Sequence, residues 1–204
     1  MSAPAAESSV APERSEAPAG RDRLHDRPIR SFVLRRSHFS AAQRDAHQRL
    51  MPRFGLAWQP VPLDLATVFG RTAPTVLEIG FGMGDTTAEI ARNAPDVDFL
   101  AVDVHTPGVG ALLKQVEQQA LGNIRIIEHD ARAVVESMLA DGSLAGIHVF
   151  FPDPWPKARH NKRRLIRQPF LGTLVGKLRP GGHLHVATDW PDYADRIVEA
   201  LDAI

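Results

Sequence analysis

From Pro74 onward, short apolar runs alternate with longer amphipathic stretches, and this alternation constrains the fold more than any other feature. The apolar runs occur at 75–80, 98–104, 123–130, 146–152 and 183–189. Helical patterns follow them at 85–93, at 106–120, at 131–140, in a segment ending near Leu178, and at 191–203. Strands that alternate with helices of this length form βαβ units. The sequence therefore predicts an α/β fold with a mostly parallel sheet and helices on both faces.

The chain before Pro74 has a different character. Residues 1 to about 27 are rich in Ala, Pro, Ser, Glu and Arg and lack apolar periodicity, which predicts a disordered tail. Residues 28–73 are predicted to form an N-terminal extension with one helix, capped by Ser40 and ending before Pro52 and Gly55. Residues 74–204 are then expected to form the main domain.

Composition excludes several classes of site. The 204 residues include no cysteine, so disulfides, thiolate zinc sites and a cysteine nucleophile are excluded. No segment approaches the roughly 18 apolar residues of a membrane span. The N-terminus lacks the apolar core of a signal peptide, so a cytoplasmic location is expected. The 24 Lys and Arg residues balance the 24 Asp and Glu residues, so any binding of nucleic acid must come from a local cluster of cations.

Ligands of parallel sheets bind at the carboxyl ends of the strands, and every predicted strand here ends near an acidic residue. The first end, "LEIGFGMGD", holds Glu78, Gly80, Gly82 and Gly84. Glycines after a strand let the backbone approach a ligand closely. A dinucleotide fingerprint has a glycine where this chain has Asp85, which would repel a pyrophosphate. A ligand with a cationic end, such as S-adenosylmethionine, is favoured, and a glycine-rich turn without a ligand is the alternative.

Acidic residues also end the second, third and fifth predicted strands. Asp103 is suited to accept hydrogen bonds from ribose hydroxyls, which NAD and S-adenosylmethionine share, or it is simply solvated. Asp130 is either an acceptor for an adenine amino group or the N-cap of the next helix. Asp189 is expected either to help hold the substrate or to cap the last helix. His183 and His185 share a strand face, where a structural role is favoured over metal binding because no third ligand lies at a suitable spacing.

The fourth predicted strand runs into "VFFPDPWPKARHNKRRL", the most informative stretch of the chain. Two prolines fix φ on either side of Asp153 and hold this carboxylate at the strand end. Trp155 either offers a flat face to a base or packs internally. His160 and Asn161 add hydrogen-bonding groups to a cluster of cations that is suited to phosphates. The cations are Lys157, Arg159, Lys162, Arg163 and Arg164. Because cations ahead of a helix N-terminus are unfavourable, binding is favoured over a merely solvated basic segment.

These motifs together resemble the bacterial tRNA (guanine-N7-)-methyltransferases. The resemblance rests on "LEIGFGMG", "VDVHTPGVG", "HDA", "FPDPWPKARHNKRRL" and "ATDW", with "IRSFVLRR" near the N-terminus, and covers about residues 29–204. It implies a Rossmann-like class I methyltransferase that uses S-adenosylmethionine to methylate N7 of a guanine in the tRNA variable loop. The acid of the second strand is typically Glu in this family and is Asp103 here. The family continues with two further strands, so C-terminal strands are expected to be missing from this sheet.

The resemblance also implies roles for single residues. Asp153 is the expected catalytic carboxylate, and Lys157 and Asp189 are the expected substrate contacts. The expected cofactor-binding residues are Glu78, Gly80, Gly82, Gly84, Asp103, Asp130 and Asp153. The expected RNA contacts are Arg159, His160, Asn161, Lys162, Arg163 and Arg164.

The expected partner is tRNA, with no membrane and no metal, and monomer and homodimer are both left open. Three alternatives remain at this point. One is a non-catalytic or impaired tRNA-binding fragment of such an enzyme. Another is a class I methyltransferase that acts on a small molecule or a protein, against which the basic cluster argues. The last is a NAD-binding module, which Asp85 disfavours.

Overall fold

The computed structural model describes residues 30–33 and 38–204, so the predicted tail at 1–27 and part of "IRSFVLRR" lie outside the described residues. A five-stranded sheet with the order β3-β2-β1-β4-β5 forms the centre, and every strand pair in it is parallel. The strands are β1 Thr75–Ile79, β2 Asp98–Asp103, β3 Ile124–Glu128, β4 Leu144–Phe150 and β5 Leu178–Ala187. The helices are α1 Ala41–Phe54, α2 Leu65–Phe69, α3 Asp85–Asn93, α4 Thr106–Gln118, α5 Ala131–Met138, α6 Phe170–Lys177 and α7 Pro191–Asp202. This architecture confirms the predicted α/β class.

Each face of the sheet buries its own apolar cluster, because successive side chains of a strand point to opposite faces. Leu77 and Ile79 of β1 belong to the cluster that includes the apolar residues of α5, α6 and α7. Val76 of β1 belongs to the other cluster, which includes residues of α1, α3 and α4. Helices therefore cover both faces. β1 is buried at all five positions, as expected of a central parallel strand.

The N-terminal extension packs against the sheet domain through α1. Ser40 and Gln43 form a reciprocal capping box at the start of this helix. His47 Nε2 lies 2.8 Å from Glu128 Oε2 at the end of β3, and a backbone bridge joins Gly55 to Ile126. The extension contains the short α2 in addition to the one predicted helix. Division of the chain into an extension and a methyltransferase domain stays a prediction.

Three local predictions differ from the structure. Pro52 lies within the last turn of α1, which continues to Phe54, instead of following the helix. β5 begins at Leu178, five residues before the predicted strand at 183–189, and includes Pro180-Gly181-Gly182; its pairing with β4 shifts register there. The basic cluster lies mainly on a 3-10 helix, Ala158–Arg163, that the sequence pattern did not indicate. A proline or glycine run at a sheet edge is tolerated because it breaks few ladder bonds.

The topology places a cleft at the carboxyl ends of the strands. The chain runs outward from β1 to β2 and β3 and then returns to place β4 on the other side of β1. β1 and β4 therefore flank the switch point, where open parallel sheets bind ligands. In the described part of the chain, none of the helices has the length and apolar character needed to cross a bilayer.

Candidate cofactor and RNA site

A cavity of about 370 Å³ opens at this switch point. Gly80 and Gly82 line one side, after β1, and Asp103 lies beside them at the end of β2. Asp153 lines the opposite side, after β4. The structure thus brings together the glycine loop, the strand-two acid and the carboxylate of the Pro-Asp-Pro turn, as the sequence predicts.

The glycine loop is shaped to receive a ligand. Gly80 and Gly82 have φ values of 78° and 59°, in the left-handed region that favours glycine. A Cβ atom at either position would meet no atom within 4 Å, so this backbone faces open space. Gly84 has another role, because a Cβ there would lie 2.6 Å from Leu112 Cβ. Gly84 therefore lets α3 pack closely on α4 and does not line the cavity.

Gly108 is a further residue on which this loop depends, and the sequence reasoning did not single it out. It lies in the first turn of α4, and a Cβ atom there would stand 1.9 Å from the carbonyl oxygen of Gly82. The pattern "HTPGVG" could have indicated it, because a glycine directly after a helix-starting proline points to close packing in the first turn. Because Gly108 has no side chain, the first turn of α4 can lie in direct contact with the backbone of the glycine loop.

Two carboxyl groups beside the loop carry raised pKa values because they are buried. Asp103 Oδ2 accepts a hydrogen bond from Gly82 N–H at 2.9 Å, and Oδ1 accepts from the N–H groups of Val104 and His105. Burial raises the pKa of Asp103, and these N–H donors oppose the rise. Glu78 is only 2% exposed, and burial raises its pKa to about 7. The Thr87 side chain opposes this rise in pKa, and the Oε2 atom of Glu78 is buried with no donor in hydrogen-bonding geometry.

These features fit a ligand with a cationic end. A buried carboxylate oxygen without a partner is costly, and an ammonium group that donated to it would remove that cost. The exposed glycine backbone and Asp103 fit the ribose and the amino-acid portion of S-adenosylmethionine. Asp85 contributes less than predicted, since it accepts a hydrogen bond from Gln115 and does not line the cavity.

Asp130 acts as the N-cap of α5, accepting from Arg132 N–H at 2.9 Å. Its neighbours His129 and Ala131 line the cavity, but Asp130 itself does not. The ring of His129 is stacked on Trp58, with centroids 5.0 Å apart. The N-cap role is therefore present in the structure, and an adenine contact at the same carboxylate stays a prediction.

The Pro-Asp-Pro turn is held between two residues with positive φ, Phe151 at 49° and Trp155 at 48°. Phe151 N–H donates to the carbonyl of Ala187 at 2.8 Å, which continues the pairing of β4 with β5. Trp155 is buried, and its Nε1–H donates to the carbonyl of Ser31 at 3.2 Å. Both ends of the turn are thus anchored, and Asp153 is held at the cavity wall.

The cations that follow Asp153 divide into an exposed set and a buried one. Lys157, Arg159, Lys162 and Arg163 are exposed, and the guanidinium of Arg163 lies 4.9 Å from the centroid of the Trp155 ring. Desolvation and then the charge of Arg159 and the other nearby cations lower the pKa of His160. The exposed set forms a concentrated positive surface beside the cavity.

Arg164 differs from the RNA contact that the sequence predicts. It is only 3% exposed. Its Nε–H donates to the carbonyl of Pro154 at 2.8 Å, and Nη2 lies 2.7 Å from Asp192 Oδ2. Its guanidinium lies 4.8 Å from the centroid of the Tyr193 ring. Arg164 therefore attaches the Pro-Asp-Pro turn to the start of α7, and this burial leaves its guanidinium inaccessible to a phosphate.

The strand histidines form a group of rings in contact, in which His148 is buried and His183 and His185 are exposed. His148 Nε2 lies 3.3 Å from His183 Nε2, and the rings of His148 and His185 meet edge to face. Burial, followed by the two neighbouring histidines, lowers the pKa of His148 to about 4. Across residues 30–33 and 38–204, no group of three or more His, Cys, Asp or Glu side chains is placed to hold a metal ion. Asp189 is exposed and does not line the cavity. It does not cap the last helix either, because the N-cap of α7 is Trp190 and no side chain caps this helix.

Comparison with known proteins identifies the family. Residues 72–204 match the family model described as "Putative methyltransferase". The chain is 58% identical over 174 residues to the tRNA (guanine-N(7)-)-methyltransferase of Nitrosomonas europaea, covering 85% of this chain and 78% of that relative. The protein of the same name from Neisseria meningitidis serogroup B is 58% identical over 179 residues, covering 88% and 75%. This chain belongs to the tRNA (guanine-N(7)-)-methyltransferase family. The disfavoured alternative of a NAD-binding module is thereby excluded.

A solved structure agrees on the fold of this tRNA (guanine-N(7)-)-methyltransferase family member. "Structure of an Antibiotic Related Methyltransferase" matches with a TM-score of 0.50 and 14% sequence identity, covering 67% of this chain and 72% of that one. At this identity the likeness concerns the fold alone. Together with the sheet order, it confirms the predicted Rossmann-like class I methyltransferase fold.

Proposed function

We propose that this chain transfers a methyl group from S-adenosylmethionine to N7 of a guanine in tRNA. One observation carries the proposal: Asp153 shares a cavity with Gly80, Gly82 and Asp103, and the exposed cations follow Asp153 directly in the chain. The names of the relatives support the same reaction. A cytoplasmic location accords with this substrate, and the tRNA variable loop remains the expected position of the guanine.

The cofactor side of the cavity is formed by β1 and β2. Gly80 and Gly82 offer their backbone, and Asp103 accepts from the ribose hydroxyls. Glu78 is buried and does not itself line the cavity, and we assign it to the ammonium end of the cofactor because its buried carboxyl would favour a nearby cation. Gly84 and Asp130 act indirectly, by packing α3 and by capping α5. When it is bound, S-adenosylmethionine supplies an electrophilic sulfonium methyl group.

The substrate side is formed by the turn after β4. N7 of guanine already carries a lone pair, so no base is needed to remove a proton before attack. The rate must therefore come mainly from position and orientation. Asp153 accepts from N1–H and the N2 amino group of the guanine, which orients the base and offsets the positive charge that develops on the ring. The guanine leaves its stack to reach the cavity, as is general for enzymes that modify bases.

The exposed cations hold the strand to which the guanine belongs. Lys157, Arg159, Lys162 and Arg163 bind phosphates, while His160 and Asn161 are placed to add hydrogen bonds. Asp189 is exposed and follows the last residue of β5 by two positions, at the carboxyl edge of the sheet where Asp153 follows β4, and we assign it to the substrate side.

Incubation with labelled S-adenosylmethionine and unmodified tRNA, followed by nucleoside analysis, tests this function directly. The expected product is 7-methylguanosine. Asp153→Ala is expected to lower the rate about 100-fold or more, the size seen when a group that stabilises developing charge is removed, while cofactor affinity measured by calorimetry stays unchanged. Asp96→Ala, at an exposed turn that does not line the cavity, is the matched control.

The outcomes separate the remaining alternatives. Binding of tRNA without any methylated nucleoside would identify a non-catalytic or impaired tRNA-binding fragment. Methylation of a small molecule or protein in place of tRNA would identify a different methyltransferase. Wild-type turnover by Asp153→Ala would refute the role of this carboxylate.

A further inference from the structure

The two aromatic residues that flank the Pro-Asp-Pro turn have opposite environments. Trp155 is 9% exposed, and one face of its indole is occupied by the guanidinium of Arg163. The ring of His160 meets it edge to face at 5.9 Å. Trp155 is thus already packed on several sides. Of the two roles left open by the sequence, the packed one is what the structure shows.

Phe151, in contrast, is 67% exposed, although it follows directly after the largely buried strand β4. It lines the cofactor cavity together with Asp153. It also lines a neighbouring groove formed by β5 and α7, which includes Val186 and Val198. An exposed aromatic ring therefore lies on the same cavity wall as Asp153.

This exposure depends on an unfavourable backbone conformation. A φ of 49° is disfavoured for a residue with a bulky side chain, whereas glycine adopts it without cost. The regular alternation of β4 ends here, since Phe150 still packs on His148 while Phe151 turns outward. Outliers of this kind cluster at functional sites, where surrounding contacts maintain them. The hydrogen bond from Phe151 N–H to Ala187 is one such contact.

We propose that the ring of Phe151 stacks on the guanine that is to be methylated, while Asp153 reads the edge of the same base. This inference rests on the proposed function. An extruded base has lost its stacking partners, and an exposed aromatic face restores one. Two residues apart in one anchored turn, Phe151 and Asp153 contact the plane and the edge of the base, so they fix both its position and its rotation.

Substitutions at Phe151 separate stacking from packing. Because stacking needs a flat ring, Phe151→Tyr is expected to keep kcat/KM for unmodified tRNA, while Phe151→Leu and Phe151→Gly lower it by about 5- to 150-fold. Phe151→Gly relieves the backbone strain and removes a mostly exposed side chain, so its melting temperature stays near that of the wild type. Affinity for S-adenosylmethionine is expected to be unchanged in all three variants.

Val198→Ala is the matched control, because Val198 lines the neighbouring groove but not the cavity. It is expected to retain wild-type kcat/KM. The stacking role is overturned if Phe151→Leu keeps wild-type kcat/KM, or if a folded Phe151→Tyr loses it. It is equally overturned if the loss in Phe151→Leu is matched by lost cofactor affinity or by the same loss in Val198→Ala. Failure of the wild type to form 7-methylguanosine would instead refute the proposed function, so the two failures are distinguishable.

Discussion

Replacing Arg164 by alanine should destabilise the fold without altering the way the protein responds to salt when it binds tRNA. Arg164→Ala removes the hydrogen bond to the Pro154 carbonyl, the ion pair with Asp192 and the contact with the Tyr193 ring. It also leaves a partly buried carbonyl without its donor. These contacts join the Pro-Asp-Pro turn to α7, so their loss should loosen the segment that carries Asp153.

The size of the effect follows from the burial of each partner. A hydrogen bond from a charged donor contributes about 1.5–3 kcal/mol. The Asp192 side chain is 51% exposed, so solvent screens the ion pair, which adds little to the free energy of unfolding. The contact with Tyr193 adds about 0.5–1 kcal/mol. Arg164→Ala is therefore expected to lower the free energy of unfolding by about 3 kcal/mol, and Asp192→Asn to lower it by much less, because solvent screens the ion pair.

Denaturant unfolding measures the expected loss of stability in Arg164→Ala. A salt series on tRNA affinity measures whether its salt dependence is unchanged. Arg163→Ala is the matched control, since Arg163 is the exposed neighbour. It is expected to change the unfolding free energy by less than about 1 kcal/mol and to reduce the slope of log affinity against log salt by about 1. The reasoning is refuted if Arg164→Ala unfolds like the wild type and reduces the salt slope instead.

Two further predictions concern the cofactor side. Glu78 has a pKa of about 7 in the folded protein, above its ordinary value. Its contribution to the free energy of unfolding is therefore complete below the ordinary pKa and is lost as the pH rises through about 7. Without ligand, the unfolding free energy should therefore fall by about 2 kcal/mol more between pH 5 and pH 8 in the wild type than in Glu78→Gln; equal pH dependence by urea unfolding would contradict this. Gly108→Ala places a Cβ 1.9 Å from the Gly82 carbonyl and is expected to weaken cofactor binding about 5- to 150-fold by calorimetry. Gly122→Ala, with open space around it, is the control, and equal affinity in both variants would count against this support of the loop.

Most of the fold could be predicted because strand and helix periodicities differ so clearly. α3 begins and ends where the sequence predicts, at Asp85 and Asn93, since a glycine turn precedes it and Pro95 follows. The start of β5 was missed because Pro180-Gly181-Gly182 has the composition of a turn, while pairing with β4 nevertheless keeps it in the sheet. Local composition cannot indicate a pairing that is made with a distant strand.

For the site, the sequence alone determined which residue types stand at the carboxyl ends of the strands, because parallel βαβ topology brings those ends to one edge. The sequence alone was therefore enough to predict that one cavity is shared by Gly80, Gly82, Asp103 and Asp153. Only the tertiary structure decided which members of a polar or aromatic run face outward. Arg163 and Arg164 are neighbouring residues of the same type, yet Arg163 is exposed and Arg164 is buried and bound to Asp192. In the same way, Phe151 is exposed and Trp155 is buried, because burial depends on which distant elements pack against each side chain.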